Sequence, residues 1–185
     1  MARITTARSS ATFMMNRNFT ANWGASGRTV TTGWFPAAAC VSSSGTFAGL
    51  ILGKALFELN NWTVTGIPVS DSVEYFEKDV RSLIDRTIAE FGLRIADRET
   101  GIHQIDGYIG QGYAMPTREG IETLKLVARS EGIFLDPTYT SKAMAGFLDV
   151  IRKKRNRQDA LPVFIHTGGV FGLMARRDLF PANGS

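Results

Sequence analysis

The chain has 185 residues, 44% hydrophobic and 21% charged, with a net charge of +4 at pH 7, which excludes a disordered or fibrous class and leaves a soluble globular chain with one real core. The single cysteine, Cys40, excludes a disulfide framework within the chain and fits a reducing compartment, so a cytoplasmic location is expected. No apolar stretch reaches the length of a membrane span, and the mild charge gives no reason to expect nucleic acid as a partner.

Residues 1–36 are rich in Ser, Thr, Gly and Asn and carry no sustained period; Val30–Phe35 reads as a candidate strand and the segment is otherwise unassigned. From Pro36 the text changes. Ala37–Val41 reads as a buried strand and Thr46–Asn60 as a helix with Thr46 or Ser44 as N-cap. Thr63–Val69 alternates as a strand does, and Ser70 or Asp71 can cap a helix over Ser72–Phe91. In that helix Val73, Phe76, Val80, Leu83, Ile84 and Ile88 step by three and four, and Gly92 ends it. Ile105–Ile109 is a short apolar step, followed by the loop Gly110–Pro116. Thr117 caps a helix to Ser130 with Ile121, Leu124, Val127 and Ala128 inward, and Gly132 stops it. After the extended step Ile133–Leu135 comes a helix over Tyr139–Lys154, with Ala143, Phe147, Val150 and Ile151 on its inner side. The basic cluster Arg152–Arg157 reads as a solvated helix end, where cations are favoured. Leu161–Ile165 is the last buried strand, and Thr167-Gly168-Gly169 opens a final helix to Arg176.

Strands and helices alternate, which predicts an α/β fold: three αβα layers around a mainly parallel sheet. Ligands bind such sheets at the carboxyl ends of the strands. Val41–Thr46, Gly110–Pro116 and His166–Gly169 lie at those ends and are expected to converge on one site. Val41–Leu50 reads strand, Ser/Gly loop, helix, the arrangement that cradles a phosphate on backbone N–H groups and a helix N-terminus. The hydroxyls of Ser42, Ser43, Ser44 and Thr46 add donors. It is neither a Walker loop nor a GxGxxG turn. His103 and His166 are too separate for a metal site, and none is expected. His166, at a strand end, reads equally as a catalytic base or a hydrogen-bonded structural residue. Tyr113 and Tyr139 stand at loop-to-helix corners and can stack on a planar ligand or simply pack.

Four stretches, SSSGTFAGL (Ser42–Leu50), GYAMP (Gly112–Pro116), EGIFLDPTYTSKAMAGFLDVI (Glu131–Ile151) and IHTGG (Ile165–Gly169), together resemble one family. It is the pyridoxal-phosphate enzymes of fold type II, the tryptophan synthase β superfamily, in the D-cysteine desulfhydrase and 1-aminocyclopropane-1-carboxylate deaminase branch. The resemblance covers residues 36–180 and implies that residues 37–185 are the C-terminal portion of such an enzyme domain. It implies pyridoxal 5'-phosphate as cofactor, a small amino acid as substrate and a homodimer in the intact family. It implies that Ser42, Ser43, Ser44, Gly45 and Thr46 hold the cofactor phosphate, with Ser44 standing where glycine is usual. It places Tyr113 and Tyr139 beside the substrate, sets Thr140 facing the pyridine nitrogen, and closes the site below the ring with Thr167 and Gly168.

One departure is plain. The family's Schiff-base lysine lies in an N-terminal segment, and no lysine occurs in this chain before Lys54. Lys54 and Lys142 do not align with it. Within the family, deaminases resemble one another in carrying Glu where this chain has Thr140, and desulfhydrases carry Thr. The expected activity is therefore a D-cysteine desulfhydrase, giving pyruvate, ammonia and hydrogen sulfide. A cyclopropane deaminase and a cysteate sulfo-lyase are the alternatives in class. A truncated, non-catalytic fragment is the alternative of another kind.

Overall fold

A computed structural model of the chain describes residues 35–95, 101–153 and 162–180. The expectations for residues 30–34, for most of the basic cluster (residues 154–157) and for Leu161 lie outside the described residues.

Among the described residues, four strands form one sheet: β1 (Phe35–Val41), β2 (Trp62–Pro68), β3 (His103–Gln104) and β4 (Val163–Ile165), in the spatial order β3-β2-β1-β4. Every pairing is parallel, with Ala38 opposite both Thr65 and Phe164. Parallel neighbours need crossovers, and the helices supply them. Alternation along β1 sends Ala38 and Cys40 to one face and Val41 to the other. On Val41's face pack α1 (Ser44–Leu56) and α2 (Val73–Phe91), through Phe47, Ala48, Ile51, Leu52, Phe76, Val80 and Ile84. On the other pack α3 (Arg118–Glu131) and α4 (Thr140–Lys153), through Leu124, Val127, Ala143 and Met144. The fold is the expected three-layer α/β arrangement. Gly66 explains how closely α1 approaches: a Cβ there would stand 2.7 Å from Phe47 Cε1 and from Val41 Cγ2.

Several boundaries move. Helix α1 begins at Ser44 rather than Thr46 and ends at Leu56 rather than Asn60, because Ser43 is the extended N-cap residue. Neither Ser44 nor Thr46 caps it. The short apolar run Ile105–Ile109 is not a strand; the edge pairing falls upstream, where His103 and Gln104 meet Thr65 and Gly66. Helix α4 buries a continuous run, Thr140 to Gly146, while Phe147, Val150 and Ile151 are half-buried. Its first half runs between the sheet and α3, so all sides are covered and a single stripe is not enough. The last helix is one turn, α5 (Val170–Met174), entered through Gly169, with a 3-10 turn at Arg177–Leu179 behind it.

Candidate functional site

A cleft of about 310 Å³ opens at the carboxyl end of β1 and β4, lined by Cys40, Ser42, Ser43, Thr46, Asp136, Tyr139, Thr140, Thr167, Gly168 and Gly169. The strand ends thus bring together the first and last of the three loops read from sequence. The middle loop joins through one side chain. Tyr113 Oη and Tyr139 Oη share a hydrogen bond of 2.6 Å, with ring centroids 5.9 Å apart.

The Ser42–Thr46 turn presents its exposed hydroxyls at Ser42, Ser43 and Thr46. Ser43 precedes the first helical residue and makes no side-chain capping bond, and α1 has no acid in its first turn. The first N–H groups of a helix lack partners within it, and the helix N-terminus carries partial positive charge, so this corner favours an anion. Ser44 departs from the expectation: its side chain is buried and its hydroxyl donates to Asp79 Oδ2 on α2, outside the cleft. The hydroxyl is spent on joining α1 to α2. Gly45 is exposed, and a Cβ there would meet nothing within 4 Å.

Asp136 forms the floor. Its Oδ1 accepts from the N–H of Thr138 at 2.8 Å and Tyr139 at 2.7 Å, and its Oδ2 accepts from the N–H of Thr140 at 2.9 Å. Thr140 Oγ1 donates to Asp136 Oδ2 at 2.6 Å and accepts from the Asp136 N–H at 2.9 Å. The Thr140 hydroxyl proton is therefore already used, and what it offers the cleft is an acceptor lone pair. The sequence showed Thr140 as a neutral residue, and the carboxylate behind it was not visible as a neighbour. Gly169, at φ +98°, closes over the same carboxylate; a Cβ there would lie 2.6 Å from Asp136 Oδ2. Gly168, at φ +107°, stands beside it in the left-handed region that glycine tolerates.

Burial pushes the Cys40 thiol up to about 12, with the Asp136 carboxylate adding to the rise and Lys142 opposing it, so the sulfur in the cleft wall is a neutral thiol. The bond to Tyr113 is the main reason that the Tyr139 phenol is raised to about 12, with burial second. His166 takes the structural role: Nδ1 accepts from the Gly168 N–H at 3.0 Å, and Nε2 lies 3.0 Å from the Phe134 carbonyl. With Nδ1 accepting, the proton sits on Nε2 and the ring spans two loops. Among the described residues no group of His, Cys, Asp and Glu is arranged to hold a metal ion. A second cleft, of about 280 Å³, lies along α2 beside Ile95 and Ile102, and its walls belong to the packing of that helix.

Sequence reasoning missed two residues, Asp136 and Lys142. Asp136 carried a signal in the Asp-Pro step before a helix. Lys142 carried only the oddity of a lysine inside the small-residue run Thr140–Gly146.

Residues 36–168 match the family described as "Pyridoxal-phosphate dependent enzyme". Over 144 residues the chain is 42% identical to a Thermotoga maritima protein provisionally named a 1-aminocyclopropane-1-carboxylate deaminase, a match spanning 77% of this chain and 44% of that one. It is 39% identical over 133 residues to the D-cysteine desulfhydrase of Salmonella paratyphi B, spanning 72% of this chain and 39% of that enzyme. The crystal structure of an ACC deaminase homologue superposes with a TM-score of 0.68 at 29% identity, covering 83% of this chain and 45% of the other. The chain thus spans less than half the length of these curated relatives. It belongs to the pyridoxal-phosphate dependent enzyme family.

Proposed function

We propose that the cleft takes pyridoxal 5'-phosphate together with a small amino acid, and that the chain serves a lyase of the D-cysteine desulfhydrase and cyclopropane deaminase group. The observation that carries this reading is the cleft itself: an uncapped, acid-free helix start bearing Ser42, Ser43 and Thr46 faces two left-handed glycines and a floor built of Asp136 and Thr140. The described residues suit the phosphate and one polar edge of the ring. Ser42, Ser43, Thr46 and the N–H groups around Gly45 would hold the phosphate, and Thr140 would offer an acceptor to the ring. When bound, the cofactor supplies an electron sink for charge that develops at the amino acid's α-carbon. Tyr113 and Tyr139 hold one shared hydroxyl proton between them and leave the second O–H of the pair for the substrate. No described lysine lines the cleft. The covalent anchor of the cofactor is therefore assigned to none of these residues.

The finer reading is D-cysteine desulfhydrase, in which D-cysteine and one water give pyruvate, ammonia and hydrogen sulfide. It rests on Thr140, a neutral hydroxyl where the deaminases resemble one another in carrying Glu. A specific observation favours the deaminase as second reading. The Asp136 carboxylate stands directly behind the Thr140 hydroxyl, and an acceptor backed by an anion favours a protonated ring nitrogen. A protonated ring is the stronger sink and suits an unactivated cyclopropane.

The cofactor reading is tested by equilibrium binding of pyridoxal phosphate to the chain and to Gly45→Asp; equal affinity in the two removes the Ser42–Thr46 assignment. Substrate class is tested on a form that also carries the family's lysine-bearing segment. Catalytic efficiency higher on the cyclopropane amino acid than on D-cysteine rules out the desulfhydrase reading.

A further inference from the structure

Lys142 is 0% exposed, and no carboxylate is among its bonding partners. Its ammonium donates to three backbone carbonyls: Ile109 at 2.7 Å, Gly112 at 3.0 Å and, at the limit, Val69 at 3.5 Å. Three N–H bonds meet three carbonyl oxygens, which is the full capacity of the group. Burial draws its pKa below the ordinary lysine range. A buried cation is costly where an apolar chain of the same length would fill the space, so the ammonium is explained by what it orients rather than by what it fills.

What it orients is the loop that carries Tyr113. Ile109 and Gly112 bracket that loop's first turn, and Gly110 (φ +70°), Gly112 (φ +133°) and Ala114 (φ +60°) all take left-handed or related conformations. Tyr113 follows Gly112 directly. At its other end, Lys142 is tied to Tyr139, because it lies in the first turn of α4, where the Ala143 N–H donates to the Tyr139 carbonyl. The third carbonyl, Val69, follows the last residue of β2 and anchors the ammonium to the sheet. The stem is walled by α3, where a Cβ on Gly120 would stand 3.6 Å from Lys142 Cγ.

We infer that Lys142 is a positioning residue: a tethered internal cation that holds the Gly110–Pro116 loop against α4 and so sets the Tyr113–Tyr139 hydroxyl pair. The catalytic meaning of that pair rests on the function proposed above; the positioning does not, and its test needs neither cofactor nor substrate. The full chain is labelled with 3-fluorotyrosine and read by fluorine NMR at neutral pH, with Tyr113 and Tyr139 assigned by Tyr→Phe changes and Tyr75, on α2, as the remote control. In Lys142→Met, which keeps the stem and removes the ammonium, the Tyr113 and Tyr139 signals are expected to leave their wild-type positions while Tyr75 stays. Ammonium chloride, against sodium chloride at equal ionic strength, is expected to restore them, because the free ion fits the vacated carbonyl nest. Wild-type positions for both tyrosines in a folded Lys142→Met chain overturn the proposal, and so does a displacement that ammonium leaves unchanged. If Lys142→Met does not fold, Lys142→Gln, which keeps donors without charge, is read in the same way. If neither folds in ammonium, Lys142 supports the whole chain rather than the pair, which also overturns the proposal. Failure of wild-type chain to bind pyridoxal phosphate removes the proposed function and leaves this result standing.

Discussion

Helix starts in this chain are finished in two ways. At α2 the Ser72 hydroxyl accepts from the Tyr75 N–H, and Glu74 stands in the first turn. At α3 the Thr117 hydroxyl accepts from the Gly120 N–H, and Glu119 stands in the first turn. At α4 the Asp136 carboxylate serves three consecutive N–H groups and the Thr140 hydroxyl. At α1 Ser43 makes no such bond and the first turn has no acid. The first three starts are satisfied by their own chain. The start of α1 keeps its donors and its partial charge where it opens on the cleft, as does the one-turn α5 at Gly169, whereas the start of α4, which lines the same cleft, is closed by Asp136.

The largest test of that contrast is Asp136→Ala. It removes the cap from α4 and leaves buried donors without a partner, with an expected loss of about 3 to 4 kcal/mol in urea unfolding. A loss under about 1 kcal/mol means that α4 is not closed by this carboxylate. Next is Gly45→Asp. A carboxylate in the first turn of α1 suits the helix but repels an anion, so phosphate affinity is expected to fall at least about tenfold, some 1.4 kcal/mol, with unchanged or slightly raised stability. Lost stability alongside lost binding would blur the distinction between open and closed starts. Third, Ser72→Ala and Thr117→Ala are each expected to cost about 1 kcal/mol. Ser43→Ala, with no capping bond to lose, is expected to stay within about 0.5 kcal/mol and to weaken phosphate binding instead.

The smallest test concerns pH. The Tyr139 and Tyr108 phenols, ordinarily near 10.0, are both raised to about 12 in the folded chain, and the Cys40 thiol is raised from 9.0 to about 12. A raised group keeps its proton in the folded state after the unfolded chain has lost it. Its stabilisation is complete below the unfolded value and is lost as pH climbs through the folded one. Lys142, lowered by burial, acts in the opposite sense. The urea midpoint is therefore expected to decline from pH 9 upward, and Tyr113→Phe, which removes the main cause of the Tyr139 rise, is expected to flatten that decline. An unaltered slope separates Tyr113 from the start of α4.

The same contrast explains what was legible in the sequence. Caps and stops are local chemistry. Thr117, Gly92 and Gly132 were therefore readable, and both glycines take the left-handed conformation at their helix ends; the cap of α2 falls at Ser72, not at the expected Ser70 or Asp71. The α/β class followed from alternation, and the resemblance located the cleft residues through motifs at strand ends. What could not be read depends on partners far along the chain. Ser44 turns to Asp79, the edge strand pairs at His103–Gln104, and the first half of α4 is enclosed on every side. Lys142 failed for the same reason: its carbonyl partners lie in two other segments, and a lysine in a helix reads as surface from periodicity alone.

The register of the sheet has a consequence for how the cleft comes into being. Ala37 pairs with Val163, so the strand that leads into Ser42–Thr46 and the strand that leads into Thr167–Gly169 are neighbours in space and nearly the whole described chain apart in sequence. Chain closure over such a span is slow, and parallel strands have no hairpin to shorten it. During synthesis the first wall of the cleft emerges long before the last, and β1 waits with one edge unpaired. An anion captured early meets only the α1 corner. Both walls stand together only once β4 has paired, so on the function proposed above cofactor binding reports on the completed sheet rather than templating it.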